Sequence, residues 1–296
     1  MRIFDCFMYF DEEMILDVRL NTLNKFVDYF VIAESKFTHS GKKRNLNFNI
    51  NKFEKFKDKI IYLIYDKEDQ GIEIINENDH KNDKARKTIM NAVKRENGQR
   101  NYLQKGLDAA ENEDIILISD VDEIPNLINI DFANFKNKII QFKQEMFYYK
   151  FNLVLPKLLW TGTKGCRKKN LISPQWLRNI KDRKYSILRP DIFFSKKKYS
   201  NIFFVKNGGW HFTNIKAPKD IKNKLSSYLH HIEYDEKPLD VNEIENIINK
   251  KTAIYDLNLD KKLNKLGEGN KLESYDLNKL PIYIKENKKK FELWLD

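Results

Sequence analysis

Cysteine is almost missing: Cys6 and Cys166 are the two in 296 residues, too few for a disulfide framework and without a CxxC spacing for zinc. Such usage fits a reducing compartment. Glycine (10) and proline (7) are sparse, never gather with serine into a linker, and no internal repeat is visible. That excludes domains strung on flexible linkers and points to one continuous domain. No apolar run reaches the roughly 20 residues that a membrane-spanning helix requires. The opening MRIFDCFMYFDEEM sets acids directly after a short apolar run and offers no small-residue cleavage site, so it does not read as a secretion signal. The expectation is a cytoplasmic chain, with peripheral contact at the inner membrane face as its closest approach to a bilayer.

Charge and aromatic residues are abundant. Lysine and arginine number 54 against 43 acids, a formal charge of +11, and 20 Phe with 14 Tyr supply material for a core. This balance favours phosphate-bearing partners or an anionic surface without choosing between them.

Along the chain, RIFDCFMYF (2–10), YFVIA (29–33), IIYLIY (60–65) and DIILIS (114–119) read as strands. Helical patterns separate them: one opened by the acids at 11–13, one around 51–57, and a pair over 84–111 broken near Asn97 and Gly98. Strands alternating with helices predict a parallel sheet covered by helices, with ligands beyond the carboxyl ends of the strands. After residue 125 the style turns antiparallel and aromatic. Strands are predicted at 139–142, 146–154, 184–190, 202–206 and 208–212, and a helix at 217–231. Asp240 and Glu243 form a capping-box signature, and Pro281 opens a last helix. The expected division is 1–125 for nucleotide-sugar binding, 126–235 for the acceptor side of the same domain, and 236–296 as a helical extension.

IILISDVDEIP (115–125) carries three acids within four positions at a buried strand's end. In an extended or turn conformation Asp120 and Asp122 point the same way while Val121 points into the core. Two carboxylates so placed suit Mg²⁺ or Mn²⁺, which commonly keep positions for water and substrate phosphates. The plainer alternative is that these acids cap the following segment.

An ordered series of segments resembles glycosyltransferase family 17: 5–23, 27–43, RENGQRNYL (95–103), ILISDVDEIP (116–125), FYY (147–149) with WTGT (160–163), GGWHFTN (208–214), HIE (231–233) and LPIYIKEN (280–287). The resemblance implies a GT-A-type, Rossmann-like and mostly parallel sheet flanked by helices, a UDP-sugar donor such as UDP-GlcNAc, and Mn²⁺ or Mg²⁺ held by Asp120 and Asp122. His211 is the candidate third ligand, since a late histidine completes the metal site in many GT-A enzymes. A hydrogen-bonded core histidine is the competing reading. Gly208 and Gly209 would let backbone approach a ligand. Glu34 is a candidate for ribose, and Arg95 and Arg100 for the diphosphate or a site carboxylate, against ordinary ion pairing. Asp120 also falls in the donor-binding set.

A β-linked product from an α-linked donor requires inversion and one general base. Glu145, Glu233 and Asp191 are the candidates, with Glu123 as a further possibility. Trp160, Trp176 and Trp210 are candidates for stacking on sugars, or for the core. The implied acceptor is a glycan, for a cytosolic form a surface glycan or its lipid-linked precursor, and the tail KENKKKFELW (285–294) is a candidate anionic-membrane contact. Alternatives are a non-catalytic nucleic-acid or anionic-surface binder, and a nucleotidyltransferase using the same acids. No nucleic-acid motif accompanies the basic runs, so nucleic acid is not an expected partner.

Overall fold

Strands β1 (Ile3–Tyr9), β2 (Tyr29–Ser35), β3 (Ile60–Tyr65) and β4 (Ile115–Asp120) lie parallel in the order β3-β2-β1-β4. The structure, a computed structural model, describes residues 1–227, 231–256 and 264–296, with the backbone alone for 231–233. Helix α1 (Glu13–Leu23) connects β1 to β2, a 3₁₀ segment (Ile50–Lys59) precedes β3, and α2 (Lys81–Tyr102) with a 3₁₀ turn (Leu103–Leu107) leads to β4. These strands form because apolar side chains alternate onto two covered faces. Phe7, Ile32 and Leu117 pack with α1 on one face, and Cys6, Val31 and Ile118 pack with Leu103 and Leu107 on the other. From β1 the chain winds outward to β2 and β3, then returns to the opposite side of β1 as β4. The carboxyl ends of β1 and β4 therefore flank a crevice at a reversal of strand order, where ligands of open α/β sheets bind.

Beyond β4 the sheet changes character. It continues through β5 (Glu123–Pro125), β6 (Ile139–Tyr148), β7 (Leu153–Arg167), β8 (Ile202–Val205), β9 (Gly209–Thr213) and β10 (Glu273–Ser274). The path is β4-β7-β6-β9-β5, with β8 on β6 and β10 on β7. Strand β7 is antiparallel to β4 and β6, whereas β9 is parallel to β6 and antiparallel to β5. The remaining helices are α3 (Pro174–Asn179), α4 (Pro218–Ser227), α5 (His231–Glu236), α6 (Val241–Asn249) and α7 (Ile282–Glu286). Helices α4 and α6 pack Ile221, Leu225, Ile244 and Ile247 on Met146, Tyr148 and Leu155, while Ile284 of α7 joins the α1 face. The chain is thus α/β, with a mixed sheet flanked by helices. No helix among the described residues is long and apolar enough to cross a membrane.

Four local expectations need correction. Residues 146–154 are not one strand, since β6 ends at Tyr148 and β7 begins at Leu153. Helix α2 runs through Gly98 without a break, because the glycine lies against Asp69 and the Tyr65 hydroxyl, where a Cβ would overlap them. The helix keeps a poor helix former for close packing, and tertiary contact overrides propensity. Residues 184–190 form no strand: a single bridge joins Lys184 to Tyr199, and Ile187 and Leu188 stand in solvent. Gly208 and Gly209 press on backbone, not on a ligand cleft. A Cβ on Gly208 would meet the Lys143 backbone, and one on Gly209 (φ +115°) the Asn126 amide nitrogen.

Candidate active site

A cavity of about 430 Å³ opens between the ends of β1 and β4. Tyr9, Phe10 and Glu12 line it from β1 and the entry to α1, His39 from the loop after β2, and Glu96 and Gln99 from α2. Asp120 and Asp122 enter at the end of β4, Trp160 from β7, Arg178 from α3, His211 from β9 and Lys224 from α4. Chain segments more than 200 residues apart in sequence thus converge on one crevice.

The turn after β4 is held from below by Arg19 of α1, which is wholly buried with Asp5 of β1. Its Nε and Nη2 donate to the two Asp5 oxygens at 2.8 and 2.6 Å. Nη1 donates to the carbonyls of Asp120 (3.2 Å), Val121 (3.2 Å) and Glu123 (2.9 Å), and Nη2 also reaches Ser119 Oγ at 2.5 Å. One guanidinium thus reaches three carbonyls where the chain leaves β4, and Thr163 Oγ1 also donates to that of Glu123 at 2.9 Å.

Above that brace the acids divide. Asp120 accepts from Arg100 Nη2 at 2.9 Å on Oδ1 and from Arg178 Nη2 at 3.0 Å on Oδ2. Desolvation alone would raise its carboxyl, but Arg178 and Arg100 outweigh it and hold the group well below the usual carboxylate range. Glu123 is buried and fully engaged. Arg178 donates to both its oxygens at 2.7 and 3.0 Å, Trp160 Nε1 to Oε1 at 2.7 Å, and the Asp120 amide to Oε2 at 2.8 Å.

Asp122 lives differently. Its oxygens stand 3.6 Å from His211 Nε2 and 3.5 Å from Lys224 Nζ, at or past the limit of direct hydrogen bonding. Burial pushes its carboxyl up, Lys224 and His211 pull it back, and Asp120 and Glu123 add to the rise. Nδ1 of His211 is buried with no hydrogen-bond partner among the described residues, and its ring lies 5.3 Å from that of Trp160. Under-satisfied buried groups of this kind are rare, and they mark places where something else binds. Among the described residues no three His, Cys, Asp or Glu groups converge as a ready ligand set. Beside them His39 Nε2 donates to Gln99 Oε1 at 3.2 Å, and burial pushes its imidazole down, toward the neutral form.

The expected site residues separate accordingly. Asp120, Asp122, His211 and Arg100 meet at the cleft. Arg95 turns to Glu68 at 2.6 Å and to the His39 carbonyl. Glu34 does not face the cleft but anchors the loop after β2. Its carboxylate accepts from Arg44, the amides of Asn47 and Phe48, and the Tyr62 hydroxyl. Glu145 pairs across β6 and β9 with Trp210, while its neighbour Met146 pairs with His211. Successive residues face opposite sides of a sheet, so Glu145 lies on the face away from His211. Asp191 is held by Arg189 and Lys198 outside the cleft lining. The Glu233 side chain lies outside the described residues. Of the tryptophans, Trp160 is at the cleft, whereas Trp176 and Trp210 are buried with Nε1 donated to the carbonyls of Lys196 and Lys279. Arg178, Lys224 and Glu12 were not anticipated. Each arrives from an element whose local pattern gives no hint of the crevice.

The model of glycosyltransferase family 17 matches residues 1–296. The chain belongs to that family. No curated protein matches it. A family 17 glycosyltransferase moves a sugar from a donor to an acceptor, and the cleft at the carboxyl ends of β1 and β4 is its candidate active site.

Proposed function

We propose that this protein is a metal-dependent, inverting glycosyltransferase with a GT-A-type arrangement. The donor is a nucleotide sugar, with UDP-GlcNAc the first to test. The acceptor is a glycan hydroxyl, on a surface glycan or its lipid-linked precursor. The observation that carries this proposal is the convergence of Asp122 and His211, 3.6 Å apart and with Lys224 3.5 Å from Asp122, in a crevice edged by Arg178 and Arg100.

These residues fit a divalent ion. Donors bound about 2.1 Å from one ion stand roughly 3 Å or slightly more apart, and Mg²⁺ or Mn²⁺ is satisfied by one or two side chains with water and substrate phosphates. Asp122 and His211 are the proposed ligands. Asp120, with an arginine on each oxygen, is proposed to order the turn and to carry its charge beside them. A bound divalent ion would neutralise the charge developing on the leaving diphosphate. Lys224 and Arg178 offer cations to phosphate oxygens. Trp160, 36% exposed and fixed by Glu123, offers a ring face to a sugar.

For the general base we propose Glu12. It lines the cleft and accepts from the amides of Phe10 and Asp11 at 3.2 and 3.1 Å. Burial alone would raise it, yet Lys216, Lys224 and these amides leave it lowered, which keeps the carboxylate in the ionised form that a base requires.

Calorimetry of UDP and UDP-GlcNAc, with and without Mn²⁺, on wild type and Asp122→Ala tests the proposal. Binding that requires the metal and disappears in the variant is expected. A folded wild type that binds neither nucleotide under any condition contradicts it.

A further inference from the structure

We infer that residues 181–200 form a docking surface for an anionic lipid bilayer. Ile187, Leu188, Phe193 and Phe194 are 67, 88, 72 and 91% exposed, four large apolar side chains within eight positions. Such clustering is unusual on a soluble surface. Seven lysines and arginines surround them in the same segment, against two aspartates. Both acids are neutralised internally, Asp191 by Arg189 and Lys198 and Asp182 by Lys143. Lys181, Arg183, Lys184, Lys196 and Lys197 remain exposed in the same segment. Exposed aromatics and aliphatics flanked in sequence by exposed cations match the acyl boundary and headgroups of an anionic leaflet.

The segment is tied down at its base. The Lys181 amide donates to the Lys197 carbonyl at 2.8 Å, the Tyr185 amide to Tyr199 at 3.1 Å, and Trp176 Nε1 to Lys196 at 2.7 Å. The exposed side chains lie between these ties and need not be ordered from a free tail. The tail at 285–294 has charge but little to insert: Phe291 is 1% exposed in the core and Lys290 is bound to Asp17, which leaves Leu293 as its exposed large apolar residue. Docking through 181–200 would hold α3, and with it Arg178 at the cleft, close to the headgroups. Under the proposed transferase function this suits an acceptor presented on a lipid, although docking itself does not depend on that function.

Co-sedimentation with vesicles tests the inference. Wild type is expected to pellet with phosphatidylcholine vesicles containing about 30% phosphatidylglycerol, and to bind phosphatidylcholine alone about tenfold less. Leu188→Ser/Phe194→Ser should lose about tenfold in partitioning on the anionic vesicles with an unchanged melting temperature, because both side chains face solvent. Lys288→Glu/Lys289→Glu in the tail should bind as wild type does. A Phe194→Trp variant should shift its emission to the blue with anionic vesicles and be quenched by brominated acyl chains. Failure of wild type to pellet, full binding by the double variant, or a tryptophan at 194 that stays in water would each overturn it.

Discussion

On one side of the turn after β4, Asp120 and Glu123 have arginines on their carboxylates, supplied by α2 and α3. On the other side, one residue away, Asp122 and His211 face each other across 3.6 Å, and the nearest cation, Lys224, stands 3.5 Å off. The same short turn thus holds a saturated pair beside an acid, Asp122, that meets His211 of β9 unsaturated. Saturation is how a protein spends buried charge on shape, since a fully paired carboxylate has little left for a ligand. Leaving an adjacent pair short of partners costs stability, and it persists where a ligand restores the balance. The difference sorts scaffold from site without reference to sequence motif.

The comparison breaks most severely if its common support is removed. Arg19→Met leaves Asp5 buried and unpaired and takes a donor from each of three turn carbonyls, and should cost about 3–5 kcal/mol in urea unfolding. A loss under about 1 kcal/mol would mean that Arg19 does not hold the turn. Next, Asp122→Asn or His211→Ala should lower the transfer rate about 100-fold or more, with little change in melting temperature, since burial already disfavours the Asp122 charge. Asp120→Asn should reverse the pattern. It should lose about 1–2 kcal/mol of stability, a figure reduced for the solvent around this half-exposed carboxylate, and less activity than Asp122→Asn. Equal kinetic losses at the two positions would erase the proposed division of labour.

A further test away from the turn is a matter of pH. Lys164 of β7 is buried behind α3 and donates to the carbonyls of Arg178 and Ile180, both at 2.6 Å. Burial, with the charge of Arg178 adding, pushes its amine down to about 7 from an ordinary 10.5. Between those values the unfolded chain binds a proton that the folded chain does not. Stability should therefore rise with pH across that window, by up to about 1.4 kcal/mol per pH unit, and the gain should be lost as pH falls through 7. Lys164→Met should flatten the slope in chemical unfolding from pH 7 to 10.

Much of this architecture is readable from the chain because its causes are local. Short continuous apolar runs gave β1 to β4, and acids directly after IILIS marked the strand end at the crevice. His211 was reachable only through family resemblance, as nothing in GGWHF distinguishes a site histidine from a core one. Arg178 and Lys224 were beyond reach, because a surface-like pattern on α3 or α4 does not say which crevice the helix will overhang. Glu34 was misplaced for a related reason: a strand-end acid is drawn equally to a ligand and to a neighbouring loop, and here Arg44 and two amides claim it. Apolar letters at 187–188 read as strand by propensity, yet they have no neighbour to pair with and stand in solvent.

The most direct test of the saturated and unsaturated sides is Mn²⁺ binding followed by electron paramagnetic resonance in the presence of UDP. The account predicts that wild type and Asp120→Asn deplete the free Mn²⁺ signal, while Asp122→Asn and His211→Ala leave it undiminished. Depletion by the Asp122 and His211 variants, with loss in Asp120→Asn alone, would contradict it and place the ion on the arginine-clamped side.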